Sequence, residues 1–486
     1  MSIIESNTAA AQYEWTDLPG ETTQERRVTA RPQSERRKAS AAQRIRSAVP
    51  RSGTSIAITV ACLVSLAPGL LPRTPSAQAV LTGLLVLLGL AAAAGTRIIL
   101  GRTRFGTGSG RFRVPVFTGA ALLVVGAGVL ATRWQNRLRE AMGVSPIGPG
   151  YWIRWLIGAL LLVGAVVGIC HGIRWAVRRL GRARAVATGT VLALTGHFML
   201  VPAVVDWRQA AYASADAYMD PAVVQPVSPT RSGSPESGAV WSTLGSQGRR
   251  FVAGEPARAV RVYVGLHSAP NLDARVELAI RELERSGGLQ RRHLVVAVPT
   301  GSGWIDGSAA MGIDERFGGD VAVVGLQYSN APSWVTFIFR RKAAEESARA
   351  LYTALEERLS RMSQPPKLYI YGQSLGALGG SSVFADDADQ DRRSCAALWA
   401  GPPGNAAHRA GATVLANASD PVVHWSPSLL WKAPDLGDTR PDAPVPQWLP
   451  VVSFVQTSAD LLAALDAPPG HGHRYGTDQG TALGTC

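Results

Sequence analysis

The stretch Leu368-Tyr369-Ile370-Tyr371-Gly372-Gln373-Ser374-Leu375-Gly376-Ala377-Leu378-Gly379 decides the fold. Its first four residues form an apolar run that reads as a buried strand. Its last residues, continuing through Gly380-Ser381-Ser382-Val383-Phe384, read as the start of a small-residue helix. Between them lies G-x-S-x-G with Ser374 at the centre. In this strand–turn–helix setting the pattern holds a serine on a sharp, strained turn that lifts its hydroxyl above the sheet edge. The flanking glycines are required because a side chain would strike the neighbouring strand and helix. An ordinary glycine-rich turn is the alternative reading, and the flanking elements favour a nucleophile.

A serine nucleophile needs a base, and the base needs an orienting acid. In this fold the chain order is Ser, then Asp or Glu, then His. Four histidines follow Ser374: His408, His424, His471 and His473. The last two lie in the loop Pro468-Pro469-Gly470-His471-Gly472-His473-Arg474-Tyr475-Gly476. Spacing does not choose between His471 and His473; the glycine before His473 and Tyr475 after it favour His473. Asp420 ends the apolar run Ala412–Asn417 on a turn stiffened by Pro421, where it can receive an imidazole N–H. Asp460 is the reserve acid, and Asp386, Asp387, Asp389 and Asp391 read as a solvated charge run. For the oxyanion hole, one donor is the backbone N–H of Leu375, the residue after the serine. The second is expected from Gly301 and Ser302, in the turn Thr300–Trp304 that follows the run Leu294–Pro299. His267–Pro270 is the rival loop.

Apolar runs at Val260–Leu266, Leu294–Val298, Val321–Gln327, Leu368–Tyr371, Ala396–Ala400, Ala412–Ala416 and Val451–Val455 read as strands. Helical periods separate several of them, as in Asp273–Glu284 and Ala343–Met362. Short continuous apolar strands alternating with helices predict a mostly parallel sheet covered on both faces. His424–Leu449 breaks the alternation. It is rich in Pro, Trp and Asp, and reads either as a packed surface loop or as a cap over an apolar pocket.

The N-terminal half is different material. Residues 1–53 are polar and Arg-rich, which predicts a disordered basic cytoplasmic tail. Long apolar runs follow at Thr54–Leu71, Ala77–Ala94, Val114–Ala131, Leu156–His171 and Ala185–Val205. Each approaches the ~20 residues that a bilayer requires. The expected layout is a membrane domain of about five helices over 54–205, a linker over 206–240 and a catalytic domain over 241–486. Arginines crowd the tail, the second loop and the fourth loop, whereas the first loop has only Arg73. The positive-inside rule then puts those three segments in the cytoplasm and the catalytic domain outside. The whole chain carries a net charge of +14, yet from Asp206 onward there are 25 Lys and Arg against 28 Asp and Glu. The basic excess therefore belongs to the membrane half, and nucleic acid is not an expected partner.

Of the four cysteines, Cys62 and Cys170 fall in apolar runs, and an oxidising exterior would permit a bridge between Cys395 and Cys486. No Cys/His spacing suits a metal and no phosphate-binding loop is present, so neither metal nor cofactor is expected.

The chain resembles the membrane-anchored α/β-hydrolase family found mainly in actinobacteria. The resemblance is carried by Val298–Trp304, Gln327-Tyr328-Ser329 with Pro332-Ser333-Trp334, Gly372–Gly376, Leu398–Pro403, Ser419–Val423 and Gly470–Tyr475. The family places a multi-span helical domain before an α/β-hydrolase domain. It implies a serine hydrolase acting on esters, with Ser374, Asp420 and a histidine of Gly470–His473 as triad. The expected activity is that of an esterase or lipase on lipophilic acyl esters at the outer membrane face. The alternatives are an acyltransferase of the cell envelope and a non-enzymatic scaffold with a degenerate hydrolase domain.

Overall fold

The computed structural model describes residues 49–100, 112–255 and 258–486. Nearly all of the expected disordered tail lies outside the described residues.

The six strands β1 (Val260–Val264), β2 (His293–Val298), β3 (Val321–Leu326), β4 (Lys367–Gln373), β5 (Ala397–Ala400) and β6 (Ala412–Leu415) form one sheet. Its order is β1-β3-β2-β4-β5-β6, and all neighbours are parallel. Parallel strands are buried on both faces, which explains why they read as unbroken apolar runs rather than alternating ones. Neighbouring β4 residues show the two faces. Ile370 points at Gly380, and Tyr371 donates from its hydroxyl to Gln479 Oε1 at 2.7 Å on the other side. Strand β4, which leads into Ser374, lies between β2 and β5, at whose carboxyl ends such sheets bind ligands.

The apolar run Val451–Val455, expected as a seventh strand, instead opens a helix, Val452–Asp460. Five apolar residues satisfy either period, and length decides: the run continues through Gln456–Asp460 with one face packed on Trp425 and Arg73.

Ahead of the sheet, α1 (Ser52–Ser65), α2 (Pro75–Leu100), α3 (Arg113–Ala141), α4 (Pro149–Leu180), α5 (Arg182–Thr195) and α6 (Val201–Ala217) make up the apolar half. Among the described residues, four helices are long and apolar enough to cross a membrane: Pro75–Ile99, Arg113–Ala141, Pro149–Leu180 and Ala183–Ala217, the last joining α5 to α6 through a π-helical turn. The first expected span differs. Only 14 of its residues are helical, a rise of about 21 Å against the ~30 Å of a bilayer core. Residues 66–73 leave the helix and dock on the catalytic domain. The weakest expected run, from Leu156, is by contrast part of a 32-residue helix. The final helix runs past the expected boundary at Val205 through the first third of the expected linker.

The loops after α1 and after α3 lie at one end. Arg139 donates to the Arg73 carbonyl at 2.9 Å, and the Trp134 indole N–H donates to the Gly69 carbonyl at 2.9 Å. Both loops meet the catalytic domain there: Leu70, Leu71 and Met142 pack with Ala467. Arg73 donates through Nε and Nη2 to Asp460 Oδ1 at 2.9 and 2.8 Å, and the Leu70 N–H reaches Asp460 Oδ2 at 2.7 Å. Burial pushes the Asp460 carboxyl above its ordinary range, while Arg73 and the backbone donors oppose that. The reserve acid of the sequence is thus paired with Arg73, while His473 pairs with Asp420.

Candidate active site

Ser374 follows β4 with φ 55° and ψ −123°, a conformation that non-glycine residues rarely hold. Its N–H bonds the Ala400 carbonyl at 2.9 Å, which fixes the turn to β5. A Cβ on Gly372 would lie 2.3 Å from the Gly376 carbonyl oxygen, and one on Gly376 2.2 Å from the Val298 oxygen. The pattern G-x-S-x-G is therefore a statement about space as well as conformation.

His473 and Asp420 meet beside this turn. His473 Nδ1 lies 2.7 Å from Asp420 Oδ2, with the two side chains 6% and 0% exposed. Asp420 caps a short helix, α14 (Pro421–His424), by accepting the Val422 N–H at 2.8 Å through Oδ1. Its Oδ2 also accepts the Tyr475 hydroxyl at 2.7 Å. Burial, followed by the neighbouring Asp420, raises the Tyr475 phenol well above its usual range, so it stays a donor. His473 Nε2 is buried and has no hydrogen-bond partner among the described residues. Both His473 and Ser374 line one cavity of about 680 Å³.

His471 goes elsewhere. Its Nδ1 is 3.2 Å from Asp442, which in turn holds the Ser419 hydroxyl. Ser419 Oγ accepts the Gly472 N–H at 2.8 Å, and Asn417 Nδ2 donates to the Gly472 carbonyl at 2.8 Å. These bonds tie the histidine loop to the Asp420 turn. Below the loop, a Cβ on Gly472 would sit 2.8 Å from Ala467 Cβ and 3.1 Å from Leu71 Cδ2, so the loop rests directly on the first membrane loop. Burial lowers the His424 imidazole, whose Nε2 bonds the Ala418 carbonyl at 2.8 Å; His408 pairs with Asp387 near the surface.

Leu375 is the first residue of α12 (Leu375–Ser381) and lines the cavity. N–H groups in the first turn of a helix lack intrahelical partners, so this one is available to an anion. In the turn after β2, the Thr300 N–H bonds Trp304 O and the Gly303 N–H bonds Thr300 O, leaving those of Gly301 and Ser302 without a backbone partner. Ser302 lines the cavity. Gly301 is not among the residues lining it; a Cβ there would lie 2.6 Å from Ser333 Cα. The rival loop does not reach the cavity, and Ser268 bonds the Gly265 N–H instead.

The sequence reading gave Gly401 no role in the site and gave Tyr475 a different one. Gly401 has φ 55°, and a Cβ there would lie 2.6 Å from His473 Cε1 and 2.9 Å from Asp420 Oδ2. Its signal was the Leu398–Pro403 motif directly after β5. Tyr475 was expected to steady the imidazole; it stands edge-on to that ring, and its hydroxyl holds the acid. The rest of the cavity is mostly apolar. One wall combines Tyr212, Ala215 and Asp216 of α6 with Ser246, Gln247 and Arg250 of α7 (Gly245–Ala253). Further lining comes from Trp334, Phe337 and Ile338 of α10 (Ser333–Phe339), from Trp425, and from Leu461, Ala464 and Leu465. Helices α8 (Leu272–Arg285) and α9 (Gly307–Arg316) cover the sheet away from the site. Within the ambiguous stretch His424–Leu449, Trp425 alone lines the cavity. Among the described residues no cluster of His, Cys, Asp or Glu is arranged to hold a metal.

Two family models match this chain. An alpha/beta-hydrolase family covers residues 260–414 and 409–484, and the N-terminus of an alpha/beta-hydrolase family covers 66–256. The chain belongs to this α/β-hydrolase family. The hydrolase match begins at β1 and contains Ser374, Asp420 and His473; the N-terminal match spans the apolar helices and ends after α7. No curated protein and no solved structure matches the chain.

Proposed function

We propose that this α/β-hydrolase is a membrane-anchored serine esterase or lipase that cleaves lipophilic acyl esters at the outer face of the cell membrane. The observation that carries the reading is the buried Asp420–His473 pair, whose free Nε2 shares a cavity with a serine held at positive φ. Asp420 fixes the tautomer with the proton on Nδ1, leaving Nε2 as the acceptor. His473 takes the proton from Ser374 Oγ as the oxygen attacks the ester carbonyl. The Leu375 N–H and a donor of the Gly301–Ser302 turn stabilise the tetrahedral oxyanion. His473 returns the proton to the departing alcohol, leaving an acyl-serine. Water, activated by the same imidazole, then releases the acid. Apo hydrolases often hold serine and imidazole apart until substrate arrives, so an unpaired Nε2 suits a resting site.

The apolar walls supplied by Trp334, Phe337, Ile338 and Trp425 favour an acyl chain. The Arg-rich tail and loops favour an external catalytic domain, and the Cys395–Cys486 disulfide is at home in an oxidising compartment. A scaffold would have no use for a strained serine beside a buried Asp–His pair.

A fluorophosphonate probe should label the wild-type chain covalently and leave Ser374→Ala unlabelled. Equal labelling of both ends the proposal. Product analysis with a glycerol acceptor separates hydrolysis from acyl transfer, and free acid is the expected product.

A further inference from the structure

The cavity that holds Ser374 and His473 is lined partly by α6, the end of the last apolar helix, and partly by large apolar side chains that are exposed. We infer that the cavity is loaded from the bilayer: its mouth sits on the membrane surface, and α10 and residues 461–465 dip into the lipid. This rests on the hydrolase reading above and adds the substrate's physical state, a bilayer-resident long-chain ester rather than a dissolved one.

Three observations converge. The first is the lip itself. Trp334, Ile338 and Phe339 on α10, and Leu462 and Leu465 in the segment after Asp460, are all exposed; Phe339 is 74% and Leu462 90% accessible, and Trp334, Ile338 and Leu465 also line the cavity. Large apolar side chains grouped at the rim of an apolar cavity mark a surface that is covered in use. The second is position. Residues 461–467 follow directly from Asp460, which Arg73 clamps, and Ala467 packs on Leu70, Leu71 and Met142. Those residues belong to the two loops that close the membrane helices at this end, so this lip starts at membrane level. The third is continuity. The apolar run of the last helix ends at Val205, and the cavity wall begins at Tyr212. Seven residues of helix rise about 10 Å, close to the ~5–8 Å of one headgroup layer. Trp207, with Arg208 stacked over its ring, stands at the height where aromatic residues mark the interface. A lipid whose chain stays in the membrane can present its ester to Ser374 at that height.

The test uses the full chain in phosphatidylcholine nanodiscs. Brominated phospholipid should quench the fluorescence contributed by Trp334, read as the difference between wild type and Trp334→Phe. Phe339→Asp and Leu462→Asp change exposed residues outside the cavity wall. Each should cut kcat/KM on a long-chain acylglycerol in the disc by about tenfold or more, since each withdraws one large side chain from lipid. Turnover of a short-chain soluble ester should change by less than about twofold. Absence of Trp334 quenching, equal loss on both esters, or no loss on either overturns the inference. A wild-type chain that turns over neither ester and resists fluorophosphonate refutes the hydrolase reading, while the quenching result still decides whether the lip meets lipid.

Discussion

Gly401 has no reactive atom, yet Asp420 and His473 need the room it leaves. Gly401→Ala forces an L-residue to φ 55° and drives a methyl group to 2.6 Å from the imidazole. The backbone penalty is about 1–2 kcal/mol, but the larger effect is displacement of His473. Misplacement of a catalytic group by ~1 Å costs on the order of 10²-fold. Gly401→Ala should therefore lower kcat by about 100-fold while the folded chain survives, as a stopped assay and a melting curve would show. The two loop histidines should separate cleanly. His473→Gln should reduce kcat by roughly 10³-fold or more. His471→Gln removes one bond to Asp442, so it should cost about 1 kcal/mol of stability and leave kcat within about tenfold. The reverse ranking would move the base to His471. Sequence alone left these two open because each sits beside glycine on one loop. The deciding partners, Asp420 and Asp442, lie far back along the chain.

Elements were legible where one period ruled. The six strands read as continuous apolar runs because the parallel sheet buries both of their faces, and the elbow read as a motif because sterics dictate its glycines. Val451–Val455 misled because a short apolar run carries no period, and its partners, Arg73 and Trp425, are remote in sequence. That helix also carries the clamp. Arg73 and Asp460 are 4% and 0% exposed, so removing either leaves the other buried without its partner. Arg73→Met or Asp460→Leu alone should cost about 3–5 kcal/mol, and the double variant should recover most of it. Chemical unfolding of the detergent-solubilised chain measures this cycle; additive losses near zero would make the pair peripheral.

Across the whole molecule, the ends of the helices carry the topological argument. The loops after α1 and α3 touch the catalytic domain, and α6 ends beside it. The N-terminus of α1 and the turn between α4 and α5 then lie at the far end. This alternation asks α1 to serve as a fifth crossing although only 14 of its residues are helical. An alkaline phosphatase fused after Cys486 should be active in cells, and a green fluorescent protein exported there by the general secretory route should be dark. The opposite pattern would put the catalytic domain in the cytoplasm. The extension of the last helix to Ala217 was hidden in the sequence because Asp206, Arg208 and Gln209 interrupt the apolar run without interrupting the helix.

Leu71 under Gly472 gives the chain a safeguard. A protease that clipped the connection after α6 and shed the hydrolase fold would strip it of the surface on which its histidine loop rests. Under the function proposed above, the freed piece would keep Ser374 and lose the footing of His473 as its base. Hydrolytic chemistry would then stay where the chain was inserted, and a stray fragment could not attack lipids at a distance. On that reading, the smallest unit able to act would be larger than the fold that carries Ser374, Asp420 and His473.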